Sequence, residues 1–196
     1  MRIIVAITGA TGSILGIRLL EALRECDVET HLVMSQWAEK TMRIETSYDP
    51  NDVKRLASHV YVPSNQASRI SSGSFRIDGM VIAPCSMKTL ASIRHGFADS
   101  LIPRAADVIL KERKKLVILP RELPLSSIHL ENMLGLSNIG ALILPPMLTF
   151  YNKPSTLDDV INHVVARTLD QFGIENNLTS RWLSHNETEM KEVIEY

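Results

Sequence analysis

The sequence predicts one α/β domain in which helices cover both faces of a parallel sheet. Three observations lead to this fold class: short apolar runs rich in β-branched residues recur, each run is nearly continuous rather than alternating, and helical periodicity lies between the runs. Continuous apolar strands are typical of parallel sheets that are buried on both faces. Strands that alternate with helices predict βαβ units with right-handed crossovers.

Five apolar runs are predicted as the strands of this sheet. The last is the weakest pattern, because it is short and two prolines follow it. The predicted strands are Ile3–Ile7, Val28–Met34, Met80–Ala83, Leu116–Leu119 and Ala141–Leu144.

Helical patterns occupy the intervals between the strands and follow the last one. The clearest is Leu157–Leu169, whose apolar residues recur at the i, i+3, i+4, i+7 spacing of a buried helix face. Ser155 or Thr156 can cap its start. The other predicted helices are Ile14–Leu23, Trp37–Ile44, Leu101–Leu110 and Leu125–Leu136, whereas the serine-rich segment Tyr61–Ile77 is predicted as a loop.

Chain length and composition indicate a single folded unit. A chain of 196 residues with 45% hydrophobic content can bury one substantial core, and it contains no repeat or Gly/Ser linker. We therefore predict a domain over residues 1–175. The polar stretch over residues 176–196 is predicted as a C-terminal tail, which either frays or packs on a neighbouring subunit.

Charge, cysteine and histidine usage exclude several classes of protein. The net charge of -1 provides no field for nucleic acid or a membrane surface. The apolar run Ile3–Ile7 is too short for a signal peptide, and Ile139–Leu148 is broken by prolines and too short to span a bilayer. Two cysteines are ordinary for a reducing compartment, so a cytoplasmic protein is expected. No histidine spacing matches a common metal motif, so no metal site is predicted.

Ligands of open α/β sheets bind beyond the carboxyl ends of the strands. After the first strand, the small residues of Thr8–Gly12 allow backbone N–H groups and a helix N-terminus to approach a phosphate, although a tight packing turn is the alternative. Ser35 follows the second strand, where an NAD site would carry an acidic residue, and no Tyr-x-x-x-Lys pair is present. A dehydrogenase is therefore disfavoured.

The later strand ends carry hydroxyl groups and charges. Ser86 and Thr89 follow the third strand at a helix start that can hold a phosphate or a polar ring. Cys85 is interpreted as a packing residue, since no histidine accompanies it in the motif. After the fourth strand, Arg121 and Glu122 are placed either for anion binding and proton transfer or simply in a solvated turn.

Together these segments resemble the flavin prenyltransferases of the UbiX family. The resemblance extends from Arg2 to about Trp182 and depends on the order and spacing of several short motifs. They are Thr-Gly-Ala-Thr-Gly at 8–12, Ser-Gly-Ser-Phe at 72–75, Pro-Cys-Ser-Met-Lys-Thr at 84–89, Arg-Ala-Ala-Asp-Val at 104–108, Leu-Lys-Glu at 110–112, Arg-Glu-Leu-Pro-Leu-Ser at 121–126 and Pro-Pro-Met at 145–147.

The resemblance implies a three-layer, Rossmann-like or flavodoxin-like fold in a high-order homo-oligomer such as a dodecamer. It also implies a metal-independent reaction, in which a dimethylallyl group passes from dimethylallyl monophosphate to N5 and C6 of reduced FMN. The prenylated FMN would then serve a UbiD-type decarboxylase as its partner.

The resemblance further implies roles for individual residues. The FMN contacts would be Gly9, Ala10, Thr11, Ser35, Ser86, Met87, Lys88, Thr89 and Arg121. The prenyl phosphate would contact Lys111, Arg121, Tyr151 and Arg167, with Arg104 close by. Glu122 would act as the acid for the leaving phosphate, Glu45 with Thr11 would remove the C6 proton, and Phe75 and Trp182 would line the path of the allylic group.

Two other functions stay open at this point. The first is an FMN-dependent decarboxylase that acts directly on a carboxylic acid; the only histidine near the early helices is His31, inside a predicted strand. The second is a carrier subunit that only holds FMN. The predicted set of Lys111, Arg121, Tyr151 and Arg167 disfavours a carrier, because FMN alone needs no second phosphate site.

Overall fold

The structure is a computed structural model that describes residues 1–182. A six-stranded parallel sheet forms its centre, with the strand order β3-β2-β1-β4-β5-β6. The strands are β1 (Arg2–Ile7), β2 (Glu29–Met34), β3 (His59–Tyr61), β4 (Gly79–Cys85), β5 (Lys115–Pro120) and β6 (Ala141–Ile143).

Seven helices connect and cover these strands. They are α1 (Ser13–Glu25), α2 (Gln36–Glu45), α3 (Pro50–Lys54), α4 (Met87–Arg94), α5 (Leu101–Lys111), α6 (Ser127–Asn138) and α7 (Leu157–Asp170). A short 3₁₀ turn at Arg69–Ser71 precedes β4. No helix within residues 1–182 is both long and apolar enough to cross a bilayer.

The sheet is buried on both faces, which confirms the predicted three-layer fold. Along β1, Ile3, Val5 and Ile7 pack with α1 and α7, whereas Ile4 and Ala6 pack with α4 and α5 on the opposite face. Alternate side chains of a strand point to opposite faces, so a strand covered on both sides must be apolar throughout. This requirement explains the continuous apolar runs in the sequence.

Two predicted boundaries need correction. The predicted loop Tyr61–Ile77 begins one residue too early, because Tyr61 ends the unpredicted edge strand His59–Tyr61, which pairs with β2. The strand is short and partly exposed, so it lacks the apolar run that revealed the others. Helix α6 begins at Ser127 rather than Leu125, since the Ser126 side chain accepts a hydrogen bond from the His129 amide and caps the helix there.

The described start of the predicted C-terminal tail lies against α7 of the same chain. Asn176 and Arg181 both hydrogen-bond to Asp170, and Thr179 hydrogen-bonds to His163. Residues 183–196 lie outside the described residues, so the rest of the tail prediction is not assessed.

Candidate active site

The carboxyl ends of the strands bring the candidate residues to one edge of the sheet. The order of the strands reverses between β1 and β4, and such a switch point forms the ligand crevice of Rossmann folds. Thr8 joins the two sides of this crevice: its hydroxyl donates to the Pro84 carbonyl and accepts from the Ser86 amide, each at 2.8 Å. The loop after β1 and the start of α4 are thereby held together.

The glycine turn after β1 requires its small residues. Gly12 has a φ of 96°, which glycine adopts without the strain that a side chain would add, and it begins α1. A Cβ atom on Gly9 would lie 2.5 Å from the Cβ of Trp37, so only glycine permits the close approach of α2. The turn is therefore a tight connection as well as a candidate ligand site.

The exposed backbone amides of this turn bind a side chain of the same chain. Glu45, the last residue of α2, accepts hydrogen bonds from the Gly12 amide at 3.0 Å and from the Ser13 amide and hydroxyl at 3.1 and 3.0 Å. We expected these amides to face a phosphate. In the structure the Gly12 and Ser13 amides hold a carboxylate instead, whereas Thr8 and Gly9 of the same turn line the adjacent cavity.

Thr11 and Glu45 are brought together as the resemblance implies. Partial burial raises the pKa of Glu45, but the hydrogen bonds from Thr11, Ser13 and Gly12 outweigh it and leave the pKa below its ordinary value. Glu45 is consequently ionised at neutral pH, which is the state that a proton acceptor needs.

A cavity of about 210 Å³ lies beside the glycine turn. Five predicted FMN contacts line it, namely Gly9, Ser35, Ser86, Lys88 and Thr89. Ala10, Thr11, Met87 and Arg121 do not line it. The remaining wall is formed by Trp37, Asp99, Ser100, Ile102 and Pro103 with Thr8 and Ser92.

Two helix N-termini face this cavity with their capping hydroxyl groups. Ser35 caps α2 by accepting from the Ala38 amide at 3.0 Å, and Ser86 caps α4 by accepting from the Thr89 amide at 3.4 Å. Lys88 extends from the first turn of α4 and pairs with Asp99 at 3.4 Å. Helix N-termini with hydroxyl groups and a lysine form a suitable site for a phosphate.

The residues of the cavity fit a phosphorylated, planar ligand such as FMN. The hydroxyl groups and Lys88 suit the phosphate, while Trp37, Ile102 and Pro103 offer aromatic and apolar surface to a ring. Sequence reasoning did not find Trp37. Its position in the first turn of α2, directly after the strand-end Ser35, was the available signal.

Cys85 is a packing residue, as predicted. The side chain is fully buried at the end of β4, and burial raises the pKa of its thiol well above the ordinary range. A thiol that stays protonated is a poor nucleophile.

Arg121 and Glu122 lie in an exposed loop at the carboxyl end of β5. The Arg121 amide donates to the Cys85 carbonyl at 3.1 Å, which fixes the loop to the end of β4. The Glu122 carboxylate accepts from the Leu123 amide at 3.2 Å. Both charged groups therefore start from an anchored backbone close to the switch point.

Tyr151 and Arg167 belong to a second group, around His163. The Tyr151 ring contacts the rings of His163 and Trp182 edge to face, with centroid distances of 5.7 and 5.2 Å. Arg167 shares a groove of about 320 Å³ with His163 and pairs with Asp170 at 2.8 Å. Burial, with Arg167 and Arg181 nearby, lowers the pKa of His163 and keeps the imidazole neutral.

Lys111 is the predicted site residue that the structure places elsewhere. It ends α5, just before β5 begins, so it lies at the amino edge of the sheet. There it pairs with Glu112 and approaches Gly73. Within residues 1–182, no hydrogen bond or ion pair joins Lys111 to Arg121, Tyr151 or Arg167.

Arg104 and Phe75, two further predicted neighbours, do not line the cavity beside the glycine turn. Arg104 donates to the Ser71 carbonyl at 3.2 Å and pairs with Asp107. Phe75 packs edge-on against His31, whereas Trp182 contacts Tyr151. One chain therefore does not bring Phe75 and Trp182 together as two walls of a single path.

Comparison with known proteins identifies the family. The profile described as Flavoprotein matches residues 1–169. A probable UbiX-like flavin prenyltransferase of Bacillus subtilis strain 168 is 57% identical over 182 residues, covering 93% of this chain and 89% of the relative.

Two solved structures are similar over almost the whole chain. The dodecameric FMN-dependent UbiX-like decarboxylase of Escherichia coli O157:H7 is 60% identical, with a TM-score of 0.92 over 94% of this chain and 100% of that one. AnUbiX (PadA1), solved with FMN and dimethylallyl pyrophosphate, is 53% identical, with a TM-score of 0.93 over 94% and 98% of the two chains. Family profile, sequence and structure agree, and the chain belongs to the UbiX-like flavin prenyltransferases.

Proposed function

We propose that this protein transfers a dimethylallyl group from dimethylallyl monophosphate to N5 and C6 of reduced FMN. The observation that carries the proposal is the ionised Glu45, joined to Thr11 and the glycine turn beside a cavity that fits FMN. Relatives named flavin prenyltransferases and the FMN complex of AnUbiX support the same activity.

FMN would be held by the hydroxyl groups of Ser35, Ser86 and Thr89 and by Lys88, with Gly9 and Trp37 against the ring. When bound and reduced, FMN supplies the two ring positions that accept the dimethylallyl group. Glu45 then accepts the proton released from C6, and the Thr11 hydroxyl orients the carboxylate. Arg121 follows the neighbouring strand and would approach from the side of β5.

The leaving phosphate requires cations and an acid. Arg121, Arg167 and the Tyr151 phenol would bind the developing charge, because guanidinium groups match phosphate oxygens in two-point hydrogen bonds. A monophosphate leaves less readily than a pyrophosphate, so Glu122 beside Arg121 would protonate it.

Lys111 would complete this site from a neighbouring copy of the chain. It lies at the amino edge of the sheet, so it cannot join Arg121 and Tyr151 in its own chain as the structure stands. We therefore propose a homo-oligomeric enzyme. The dodecamer described for the E. coli relative is the assembly we expect.

The decisive experiment supplies the protein with reduced FMN and dimethylallyl monophosphate without oxygen. We expect the flavin to become heavier by one C5 unit, measured by mass spectrometry after denaturation. Recovery of unmodified flavin would contradict the proposal. Adding the product to a cofactor-free UbiD-type decarboxylase tests the proposed partner, which should then release carbon dioxide from its aromatic acid.

One observation favours a second function, because the E. coli structure is described as a decarboxylase. The test is carbon dioxide release from an aromatic acid by the purified protein alone, with no UbiD-type partner. We expect none. We also propose a cytoplasmic location, a compartment that keeps exposed thiols such as Cys26 reduced.

A further inference from the structure

A cluster of two histidines and one glutamate lies at the amino edge of the sheet, on the side away from the proposed flavin cavity. Its members are Glu29 and His31 on β2 and His59 on the edge strand β3. Glu29 and His31 are two residues apart and face the same side of the sheet, and His59 is the direct register partner of His31. The parallel pairing of β2 with β3 therefore assembles a cluster that no linear motif reveals.

The distances within the cluster match those around one metal ion. Glu29 Oε1 lies 3.3 Å from His31 Nε2 and 3.3 Å from His59 Nε2, and all three atoms lie within 4.8 Å of one another. A tetrahedral Zn²⁺ with bonds of about 2.0–2.1 Å sets its ligand atoms about 3.3–3.4 Å apart. The distances from Glu29 to both histidines have this length in the present orientation of the rings, before His59 turns toward the ion.

His31 provides a second, independent observation. Its side chain is completely buried, and its Nε2 atom, 3.3 Å from Oε1 of Glu29, makes no hydrogen bond of good geometry. A buried nitrogen without a partner is costly unless something binds it. The other ring nitrogen, Nδ1, lies 2.9 Å from the Tyr61 hydroxyl. Such a partner orients a histidine ligand toward its metal.

We propose that Glu29, His31 and His59 form a Zn²⁺ site. Imidazole nitrogens with a carboxylate favour zinc over magnesium or calcium, and three protein ligands leave the fourth position to water. The proposal replaces our expectation that the chain has no metal site, which rested on linear histidine spacing.

The side-chain contacts around the cluster limit how its members can turn. Arg2 holds Oε2 of Glu29 at 2.8 Å and leaves Oε1 to the cluster. The two imidazole rings are stacked, so the half-exposed His59 ring must turn to point its Nε2 at the ion.

Zinc bound here would stabilise the fold and would take no part in prenyl transfer. The edge strand β3 has three residues, and the ion would join it to β2 through side chains. The proposal is therefore independent of the proposed activity, and an enzyme without zinc should still contain its flavin site.

The experiment measures Zn²⁺ binding to the full-length chain after removal of any histidine tag. We expect one saturable Zn²⁺ per chain by calorimetry, a raised melting temperature, and, with Co²⁺ as the probe, the visible absorption of a tetrahedral ion. His59→Ala and Glu29→Gln should each weaken binding more than about tenfold, and Tyr61→Phe by about tenfold. His59 and Glu29 are partly exposed, so these variants should fold.

Two variants serve as matched controls. His95→Ala removes an exposed histidine at the end of α4, and Cys26→Ser removes the exposed thiol; neither should change Zn²⁺ binding. The absence of saturable binding would overturn the proposal. Equal binding by wild type, His59→Ala and Glu29→Gln, or loss of binding in Cys26→Ser, would overturn it as well.

Discussion

At the scale of single residues, Glu45 has two tasks that depend on its charge. Its carboxylate satisfies the amides of Gly12 and Ser13 at the start of α1, and in our proposal it also accepts the C6 proton. Because the same hydrogen bonds lower its pKa, they keep Glu45 ionised but also make it a weaker base. The Thr11 hydroxyl, which hydrogen-bonds to this carboxylate, orients it.

The first prediction tests whether the charge of Glu45, rather than the shape of its side chain, is required beside Thr11. Glu45→Gln should reduce formation of the prenylated product by about 10²-fold or more, because an amide cannot accept the proton, while FMN is still retained. Thr11→Val should have an effect in the same direction. Stopped-flow spectra with reduced FMN and dimethylallyl monophosphate would measure the rate of product formation by both variants.

Thr11→Ser is the matched control for this pair. It keeps the hydroxyl and removes only the methyl group that restricts threonine rotamers, so product formation should stay at or above the wild-type rate. A Glu45→Gln variant with the wild-type rate would remove Glu45 from the mechanism.

At the scale of elements, the start of α7 is held by a reciprocal cap. The Thr156 hydroxyl accepts from the Asp159 amide, and the Asp159 carboxylate accepts from the Ser155 amide and hydroxyl and from the Thr156 amide. These hydrogen bonds, led by that of the Ser155 amide, lower the pKa of Asp159 from 3.8 to about 2. The helix that carries Arg167 is thereby anchored at its first turn.

The second prediction concerns the pH dependence of this cap. The folded pKa of Asp159 is depressed, so its stabilising effect is complete above pH 4 and disappears as the pH falls toward 2. Asp159→Asn should lower the melting temperature at pH 7, and its difference from wild type should shrink between pH 4 and 2. Thermal unfolding followed by circular dichroism measures this difference.

Asp158→Asn is the control for the cap. It removes the same charge from the same helical turn, and Asp158 makes none of the capping hydrogen bonds. Its effect on melting temperature should be smaller. Equal effects of the two variants would show that the helix dipole, rather than the cap, is responsible.

The elements that sequence predicts well are those whose burial leaves a pattern. Helix α7 was predicted almost to its ends, because one face is buried along its length and Thr156 caps it. Strand β3 left no pattern, since His59 and Val60 are exposed at the sheet edge. The starts of α1 and α2 were also predictable, because each strand of a parallel sheet must be followed by a turn and a helix.

At the scale of the whole molecule, α6 exposes apolar side chains that the described residues, 1–182, leave uncovered. Ile128, Leu130, Leu134 and Ile139 are all more than half exposed. A helix that is apolar on its outward face as well as its inward face is typical of a buried position. We expect this face to be covered by another copy in the assembly.

The third prediction tests this surface. Leu134→Glu should shift the protein from its assembled form to smaller species, because a carboxylate buried between two copies loses its hydration. Light scattering coupled to size exclusion measures the mass. Leu134→Met keeps an apolar side chain of similar volume and should leave the assembly intact; dissociation of both variants, or of neither, would contradict the assignment.

The fourth prediction tests whether Lys111 acts across copies. Lys111→Ala and Arg167→Ala should each lose prenyl transfer while retaining FMN, since both contact only the prenyl phosphate in our proposal. If the two variants are mixed after dissociation and reassembled, about a quarter of the sites should hold both intact residues. Product formation should then return in part.

Two outcomes of this experiment would contradict the assignment. Inactive mixtures that have reassembled would place Lys111 and Arg167 in sites formed by one chain. Equal loss of FMN and of prenyl transfer in Arg167→Ala would assign Arg167 to the flavin instead.

Only those parts of the candidate site that directly follow strands of the sheet were predictable. Gly9, Ser35, Ser86 and Thr89 follow strands of one parallel sheet, so topology alone brings them to one cavity. Lys111 was assigned by resemblance, although its place between the predicted helix Leu101–Leu110 and the predicted strand Leu116–Leu119 already indicates the opposite edge of a parallel sheet. A residue contributed by another copy leaves no periodic signal along the chain. Neither does a cluster that spans two strands, such as Glu29, His31 and His59.

The strand order also determines the order in which strands can pair while the chain is synthesised. The first three strands pair with one another, and β4, β5 and β6 then each join a strand that has already emerged. Helix α7 is the last helix among residues 1–182, and it packs against α1, whose contact surface is exposed until then. Because α7 also carries Arg167, a nascent or truncated chain that stops before it would lack both the cover over α1 and this arginine.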